Sequence, residues 1–505
     1  MSPLRLRTWA FPTWALVLIG VATAATSAAS TSRTAGATTA GRTAAADTPA
    51  PAPPVDTLER LHHWNHVAID STGLDHAPDG VGNPHTFGHH LGPGRASRAM
   101  AIVHLAVFEA VNAIDRRYES WLRLPAVGTA ASMDAAIAQA AHDTLVSLYP
   151  SQRADCDRLL AEDLAQMPAG ARKRAGILLG KVAAAGVLAR MASDGSNHLE
   201  PLFGAGYLAG DGPGEWRQDP ISALPVALGA KWGRVRPFVI PSGQAFRVPP
   251  PPPMTSPAYT AAFKEVKALG GDGTTTPTVR TPDQTLAGLY WAYDGTPSLC
   301  APPRLYNQIA EVIANQMGSD IVDQARLFAL LNVGMADAGI AIWESKFFYK
   351  VWRPVTGIRE ADRGTGPSGL GDGNPRTIGD AAFSPLGAPA SNLDGPNFTP
   401  PFPAYPSGHA GFGGVLFQTL RNVYGRDDIA FTFVSDELNG VTIDSDGVVR
   451  PLVPRSFATL SQAEEENGQS RIYLGIHWAF DKTVGTQQGR NIANYIHRHA
   501  FRKLR

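Results

Sequence analysis

The sequence predicts a mainly all-α protein, two four-helix-bundle-like units joined by long Pro/Gly-rich loops, with one minor β-hairpin. Three observations predict it. Long segments repeat apolar residues at three and four spacing, strand signals are sparse, and prolines gather in runs such as VPPPPPM (Val248 to Met254) between the helical segments. At 505 residues the chain exceeds what one ordinary core organises. It is therefore read as an N-terminal helical region over 56–280 and a C-terminal helical domain over 281–505.

Two further segments precede these. Arg5 and Arg7 stand ahead of an apolar run centred on Ala15 to Ala22, followed by small residues with an Ala22-x-Ala24 pattern. A span needs about 18 uninterrupted apolar residues, and this run is shorter. Residues 1–30 thus read as a Sec-type signal peptide, so the expected location is secreted or periplasmic, with no membrane contact after cleavage. No Arg-Arg pair precedes the run, so the twin-arginine route is not indicated. Residues 31–55, mostly Ala, Thr, Ser and Pro, are too poor in large apolar side chains to fold and read as a disordered leader.

Charge excludes whole classes of partner. Lys plus Arg and Asp plus Glu both count 44, so bulk electrostatics argue for neither nucleic acid nor an anionic membrane. Any anion site must be built locally. Only Cys156 and Cys300 are present, which rules out a disulfide scaffold and leaves one bridge or two buried thiols open.

The elements follow in order. Met133 to Tyr149 is an Ala-rich helix stopped by Pro150; Ser151 is placed to cap the next, SQRADCDRLLAEDLAQM; Ala171 to Ala192 is a third. Gly210 to Thr281, rich in Pro and Gly, reads as an ordered crossing between helical layers or a boundary. Pro303 opens the helix RLYNQIAEVIANQM, and Asp320 opens a long one through Phe328, Leu331, Met335 and Ile340 to Phe348. The best strand signal is VTIDSDGVVRPLV (Val441 to Val453), with Asp446-Gly447 as its turn.

Three stretches concentrate chemistry. In KFFYKVWRP, Lys346 and Arg353 are seven apart, two turns on one helical face, where they either snorkel or reach one anion. In FPAYPSGHAGFGG, Ser407 offers a hydroxyl and Gly408 a close backbone approach; a helix beginning near His409 would aim free amides at the same point. His409 is then an acid–base residue or merely a helix-start residue. In SRIYLGIHWAFDKTVG, Arg471 adds a cation, and Asp481, four after His477, can hold one imidazole nitrogen and free the other as nucleophile or ligand. Two Arg, one Lys, a Ser-Gly turn and two His together suit a tetrahedral oxyanion.

Lys-x6-Arg-Pro, Pro-Ser-Gly-His and Ser-Arg-x5-His-x3-Asp, in this order, resemble the tripartite signature of the superfamily that joins type-2 phosphatidic acid phosphatases, bacterial acid phosphatases and vanadium-dependent haloperoxidases. FTPPFPAYPSGHAGFGG and WAYDGTPSLCAPPRLYNQIA extend the resemblance to fungal-type vanadium chloroperoxidases, from about Asp283 to the C-terminus. The resemblance implies that Lys346, Arg353, Ser407, Gly408 and Arg471 hold vanadate, that His477 binds vanadium, and that His409 is the acid–base residue with Lys346 polarising activated peroxide. It also implies that Phe402 and Trp343 form the halide pocket, with Asp294 and Asp481 behind the cations and His477. The expected partners are hydrogen peroxide, a halide and a small organic acceptor. The alternative is an acid phosphatase working through phosphorylated His477; oligomeric state is unreadable.

Overall fold

The computed structural model describes residues 56–79 and 85–504, so the signal peptide and leader expected over 1–55 lie outside the described residues. Among these, thirteen α-helices and four short strands form the chain. The mainly helical class is therefore as the sequence predicts.

The first half carries α1 (Thr57–Asp75), α2 (Gly92–Ile114), α3 (Met133–Leu148), α4 (Arg153–Ala165) and α5 (Ala171–Met191). Ser132 caps α3 by accepting from Ala135 N at 3.4 Å. Ser151 does not cap α4. A 3₁₀ turn over Pro150–Gln152 precedes that helix, and the Ser151 hydroxyl accepts instead from Thr86 N at 3.0 Å. Proline fixes the turn that the cap would have opened.

Where α3 meets α4, His142 donates from Nδ1 to Asp143 Oδ1 at 2.8 Å and from Nε2 to Asp157 Oδ1 at 2.7 Å. Burial opposes its charge, but the two carboxylates outweigh burial and raise its pKa. A raised folded pKa stabilises fully below the unfolded value and ceases to as pH climbs through the folded one. The melting-temperature gap between wild type and His142→Gln should be widest near pH 6 and narrow steadily towards pH 9.

The Pro/Gly crossing is not wholly irregular. It holds β1 (Leu202–Phe203) paired with β2 (Gly206–Tyr207), then α6 (Pro257–Leu269), capped by Ser256 accepting from Tyr259 N at 3.1 Å. The proline run just before α6 masks its period from sequence reading. After it come α7 (Pro282–Tyr290), α8 (Pro303–Gln316), α9 (Ile321–Tyr349), α10 (Pro354–Arg359) and α11 (Gly408–Tyr424).

Helix α9 is the axis of the molecule. Asp320 caps it, accepting from Asp323 N at 3.0 Å, and nearly every residue from Val322 to Trp343 is buried. A helix apolar all round must be enclosed, and α2 covers one side while α11 and α13 (Ala479–His499) cover the other. Both α2 and α9 are long and apolar enough to cross a membrane, yet both lie inside protein. The one carboxylate in the middle of α9, Asp337, accepts from the backbone amides of Phe238, Val239 and Ile240 at 2.7 to 2.9 Å, which pins the crossing to the axis.

The hairpin is displaced from its predicted strands. Its paired strands are β3 (Phe431–Asn439) and β4 (Leu452–Phe457), in register Phe431 to Phe457, outside most of the predicted segment. Between them Ile443 bridges Val449, and the Asp446-Gly447 turn forms as expected, with Gly447 at φ +79°. Helix α12 (Leu460–Tyr473) then leads to α13. Both cysteines are free and buried, which settles the open alternative in favour of two thiols.

Candidate active site

Three glycines of GHAGFGG, Gly411, Gly413 and Gly414, serve close helix packing, whereas Gly408 stands at the cavity with only Trp343 near its missing Cβ, at 3.5 Å. Built-on Cβ atoms would lie 2.4 Å from Ile342 Cδ1 at Gly411, 2.1 Å from Asn467 Nδ2 at Gly413 and 2.4 Å from Thr486 O at Gly414. On the facing helix, a Cβ at Gly485 would lie 2.5 Å from Ser407 O, and one at Gly489 1.9 Å from Gly411 O. Side-chain-free contact lets α11 and α13 touch at backbone distance, which brings the start of each to one place. Ser407 N donates to Asp481 O at 3.0 Å across that junction.

Ser407 caps α11, so Gly408 and His409 occupy its first turn, as the sequence predicts. His409 donates from Nε2 to the carbonyl of Ala292, and Asp294 Oδ1 stands 3.8 Å from the same nitrogen. Behind it, Tyr306 OH and Asn467 Nδ2 donate to the His409 carbonyl at 3.0 and 3.1 Å. Sequence reading missed both; Tyr306 lies on the apolar stripe of α8 with Leu305, Ile309 and Ile313, the signal that could have found it, whereas Asn467 stands in the polar helix AEEENGQS with no such signal.

Lys346 and Arg353 do not share a helical face. Helix α9 ends at Tyr349, Lys350 turns left-handed at φ +52°, and Arg353 begins α10 as its first flanking residue. The two cations converge on one segment, donating to the carbonyls of Phe402, Pro403 and Ala404, although α9 ends between them. Lys346 Nζ donates to the carbonyls of Pro403 and Ala404 at 2.7 and 2.9 Å. Arg353 donates from Nε to Phe402 O at 2.9 Å, and from Nη1 to Ile476 O at 2.8 Å and to His477 Nε2 at 2.9 Å.

His477 and Asp481 also meet without the helical spacing that was expected. His477 precedes α13, and Asp481 lies in that helix's first turn, where its Oδ2 accepts from Trp478 N at 3.0 Å and from His477 Nδ1 at 2.9 Å. The proton is thereby fixed on Nδ1 and the lone pair on Nε2. Arg471, at the end of α12, donates to Asp294 Oδ2 at 2.6 Å, and its buried Nε has no partner among the described residues.

Burial governs the charges. It pushes Lys346 well below the usual ammonium range, with Arg353 adding repulsion, and lowers Arg353 to about 9. Burial, reinforced by the cations, also holds His409 and His477 well below the ordinary imidazole value. Burial lifts Asp294 and takes Asp481 up to about 7.

A narrow cavity, with room of about 80 Å³ for water-sized molecules, ends on this cluster. Asp294, Trp343, Phe402, Gly408, His409, Arg471 and His477 line it, and apolar walls such as Leu91, Leu224 and Leu393 lead to them. Lys346, Arg353, Ser407 and Asp481 stand behind the lining, fully or almost fully buried. Phe402 packs on Trp343 with ring centroids 4.9 Å apart, and Lys346 Nζ lies 5.1 Å from its ring. Trp343 in turn donates from Nε1 to Leu228 O at 3.0 Å.

Among the described residues no three His, Cys, Asp or Glu side chains converge as a metal-cation cage requires. What converges is three buried cations, two carboxylates already engaged, an orphaned guanidinium N–H and one imidazole lone pair. That donor set fits a tetrahedral oxyanion whose central atom accepts a single nitrogen, as vanadate does.

Comparison with known proteins agrees. Residues 326–505 match the family model for the VCPO second helical-bundle domain. The vanadium chloroperoxidase of Curvularia inaequalis is 32% identical over 520 residues, covering 85% of this chain and 81% of that one. A bacterial vanadium-dependent iodoperoxidase superposes with a TM-score of 0.67 at 23% identity, over 89% of this chain and 98% of that one. A holo-type bacterial vanadium-dependent chloroperoxidase gives 0.58 at 17%, over 81% and 92%. At those identities the two structures speak for the fold, and the Curvularia sequence speaks for descent. The chain belongs to the vanadium-dependent haloperoxidase family, enzymes whose cofactor is vanadate.

Proposed function

We propose that this enzyme oxidises bromide and chloride with hydrogen peroxide and releases hypohalous acid, which halogenates small organic acceptors. The balance is one halide, one peroxide and one proton to one hypohalous acid and one water. The observation that carries the reading is Nε2 of His477, its ring proton held on Nδ1 by Asp481, set among Lys346, Arg353 and Arg471. Vanadate, when bound, supplies a Lewis-acid centre that activates peroxide without changing its own oxidation state.

The residues supply the rest. His477 Nε2 is the anchoring nitrogen, kept basic because Asp481 holds the proton on Nδ1. Lys346, Arg353 and Arg471 neutralise the oxyanion's oxygens, and the first turn of α11 adds its free amides. His409, with its Nε2 proton held by Ala292 O, keeps Nδ1 as the atom that takes a proton from peroxide and returns it. Trp343 and Phe402 would form the halide's apolar wall beside Lys346.

The aromatic wall supports chloride, the more tightly hydrated halide, as a substrate. Phe402→His should lower the chloride-to-bromide rate ratio by about tenfold, about 1.4 kcal/mol of discrimination, measured as halogenation of a phenolic dye. The basic and apolar N-terminus supports export, so detection of the mature chain outside the cytoplasm is the matching expectation.

The deciding assay is bromination of a phenolic dye by apo-protein with hydrogen peroxide, with and without orthovanadate, and with phosphate as competitor. Activity only with vanadate, suppressed by phosphate, is the expected result. Rapid phosphomonoester turnover without vanadate, and no halide oxidation, would overturn it in favour of a phosphatase.

A further inference from the structure

The loop that holds His409 is itself held in an unfavourable conformation. Within Trp291–Cys300, Tyr293, Gly295, Ser298 and Cys300 all have positive φ, from +47° to +89°, and three of them are not glycine. Side chains rarely accept that region, so something must enforce it. The same loop supplies three contacts to the site: Ala292 O to the His409 ring, and Trp291 O and Asp294 Oδ2 to Arg471.

At Tyr293, what enforces it is strand β3, whereas Ser298 is tied to α1 through Gly73 O. Ser435 Oγ donates to Tyr290 O at 2.7 Å, Tyr290 OH donates to Phe433 O at 3.0 Å, and Asp436 N donates to Tyr293 OH at 2.6 Å. The fourth tie is made by a buried carboxylate. Glu437, wholly excluded from solvent, accepts from Tyr293 N at 3.0 Å through Oε1. Its Oε2 accepts from Ser391 Oγ at 2.6 Å and from Arg450 Nη1. Ser391 belongs to the segment that forms one wall of the cavity, through Ala390 and Leu393. One carboxylate thus joins the hairpin, the strained loop and the cavity wall.

A buried ion pair is a poor source of stability, because desolvation offsets most of its attraction. A buried carboxylate that grips a left-handed backbone N–H beside a catalytic histidine has a better explanation in geometry. We infer that Glu437 is a positioning residue for His409: by holding Tyr293 left-handed it keeps the Ala292 carbonyl on the His409 ring and the Asp294 carboxylate on Arg471. This rests on the reading of His409 as the acid–base residue, while the mechanical link from Glu437 to the ring does not depend on any activity.

The test therefore reads the ring directly. In the full-length protein, with and without orthovanadate, the imidazole N–H proton that disappears in His409→Ala is followed by NMR exchange. Wild type should show a slowly exchanging ring proton. Glu437→Ala should speed its exchange at least about tenfold, while Glu437→Gln, whose amide oxygen still accepts from Tyr293 N, should stay within about threefold. Turnover in Glu437→Ala should fall about tenfold, with half-saturating orthovanadate rising by less than that, because Lys346, Arg353 and His477 are untouched and only Arg471 loses the hold of Asp294. A folded Glu437→Ala with unchanged ring exchange overturns the inference. Should that variant fail to fold, Glu437→Asp decides: it keeps a charge for Arg450 but is one methylene too short to reach both partners, and unchanged exchange there overturns it equally. Faster exchange in a protein that oxidises no halide would leave the positioning link standing and remove the proposed function.

Discussion

His477→Ala is expected to abolish vanadate-dependent bromide oxidation, with turnover reduced more than about 10³-fold while the protein stays folded. Substitutions of residues that merely orient a metal ligand cost about 10 to 100-fold, so loss of the ligating nitrogen itself must cost more. His409, the imidazole whose charge acts on His477, is tied elsewhere: its Nε2 proton is committed to Ala292 O and its backbone carbonyl to Tyr306 and Asn467, so its ring cannot move into the place of His477. Retained activity in a variant of unchanged circular dichroism would refute the assignment of His477. Asp481→Ala supplies the graded control: it frees His477 Nδ1 and removes the bond that fixes the tautomer, and a loss of about 10 to 100-fold is expected. Were the two losses equal, the ring's orientation rather than its nitrogen would be the limiting requirement. Binding of orthovanadate, followed by calorimetry, separates the two, since only the His477 change removes a ligand.

The same comparison explains which parts of the site were legible in the sequence. Lys346, Arg353, Ser407, His409, Arg471 and His477 could be picked out because oxyanion chemistry restricts the residue types that serve it, whatever the fold around them. The routes by which they meet could not. Lys346 and Arg353 were expected on one helical face, yet a left-handed Lys350 ends α9 between them, an event with no glycine to announce it. His477 and Asp481 meet through a helix-start bond instead of an internal helical turn, because four-residue spacing is common to both arrangements. Strand β3 escaped for a related reason: the alternation in FTFVSDELN is broken by Ser435 and Glu437, polar residues that are buried because they grip the loop at Tyr293. Residues whose burial serves another segment carry no local period. The long helices, by contrast, were legible because their apolar faces repeat within the segment itself.

Gly489→Ala should be severely damaging: among the described glycines its added Cβ would make the shortest contact. In an isolated helix the change stabilises by about 1 kcal/mol, since alanine is the better helix former. Here the added Cβ would sit 1.9 Å from Gly411 O, 2.9 Å from Gly411 C and 3.0 Å from Val415 N, all of them backbone atoms of α11. Overpacked cores cost typically about 1 to 3 kcal/mol when side chains can shift; a backbone neighbour cannot turn aside, so the two helices must part. A net loss of about 3 kcal/mol is expected, read as a fall in the urea midpoint at unchanged slope. Gly186→Ala in α5 is the matched control, because its Cβ would meet only the flexible end of Leu122, at 2.8 Å from Cδ1. That variant should be neutral or slightly stabilised. The consequence for chemistry follows from where the crossing leads. Ser407 and His409 ride on the start of α11 and Asp481 on the start of α13, joined by Ser407 N to Asp481 O. Separating the helices separates the His409 ring from His477, so, on the proposed roles, Gly489→Ala should lose halide oxidation even below its unfolding midpoint, whereas Gly186→Ala should keep it. Full activity in folded Gly489→Ala would mean that the backbone contact of α11 with α13 does not set the site.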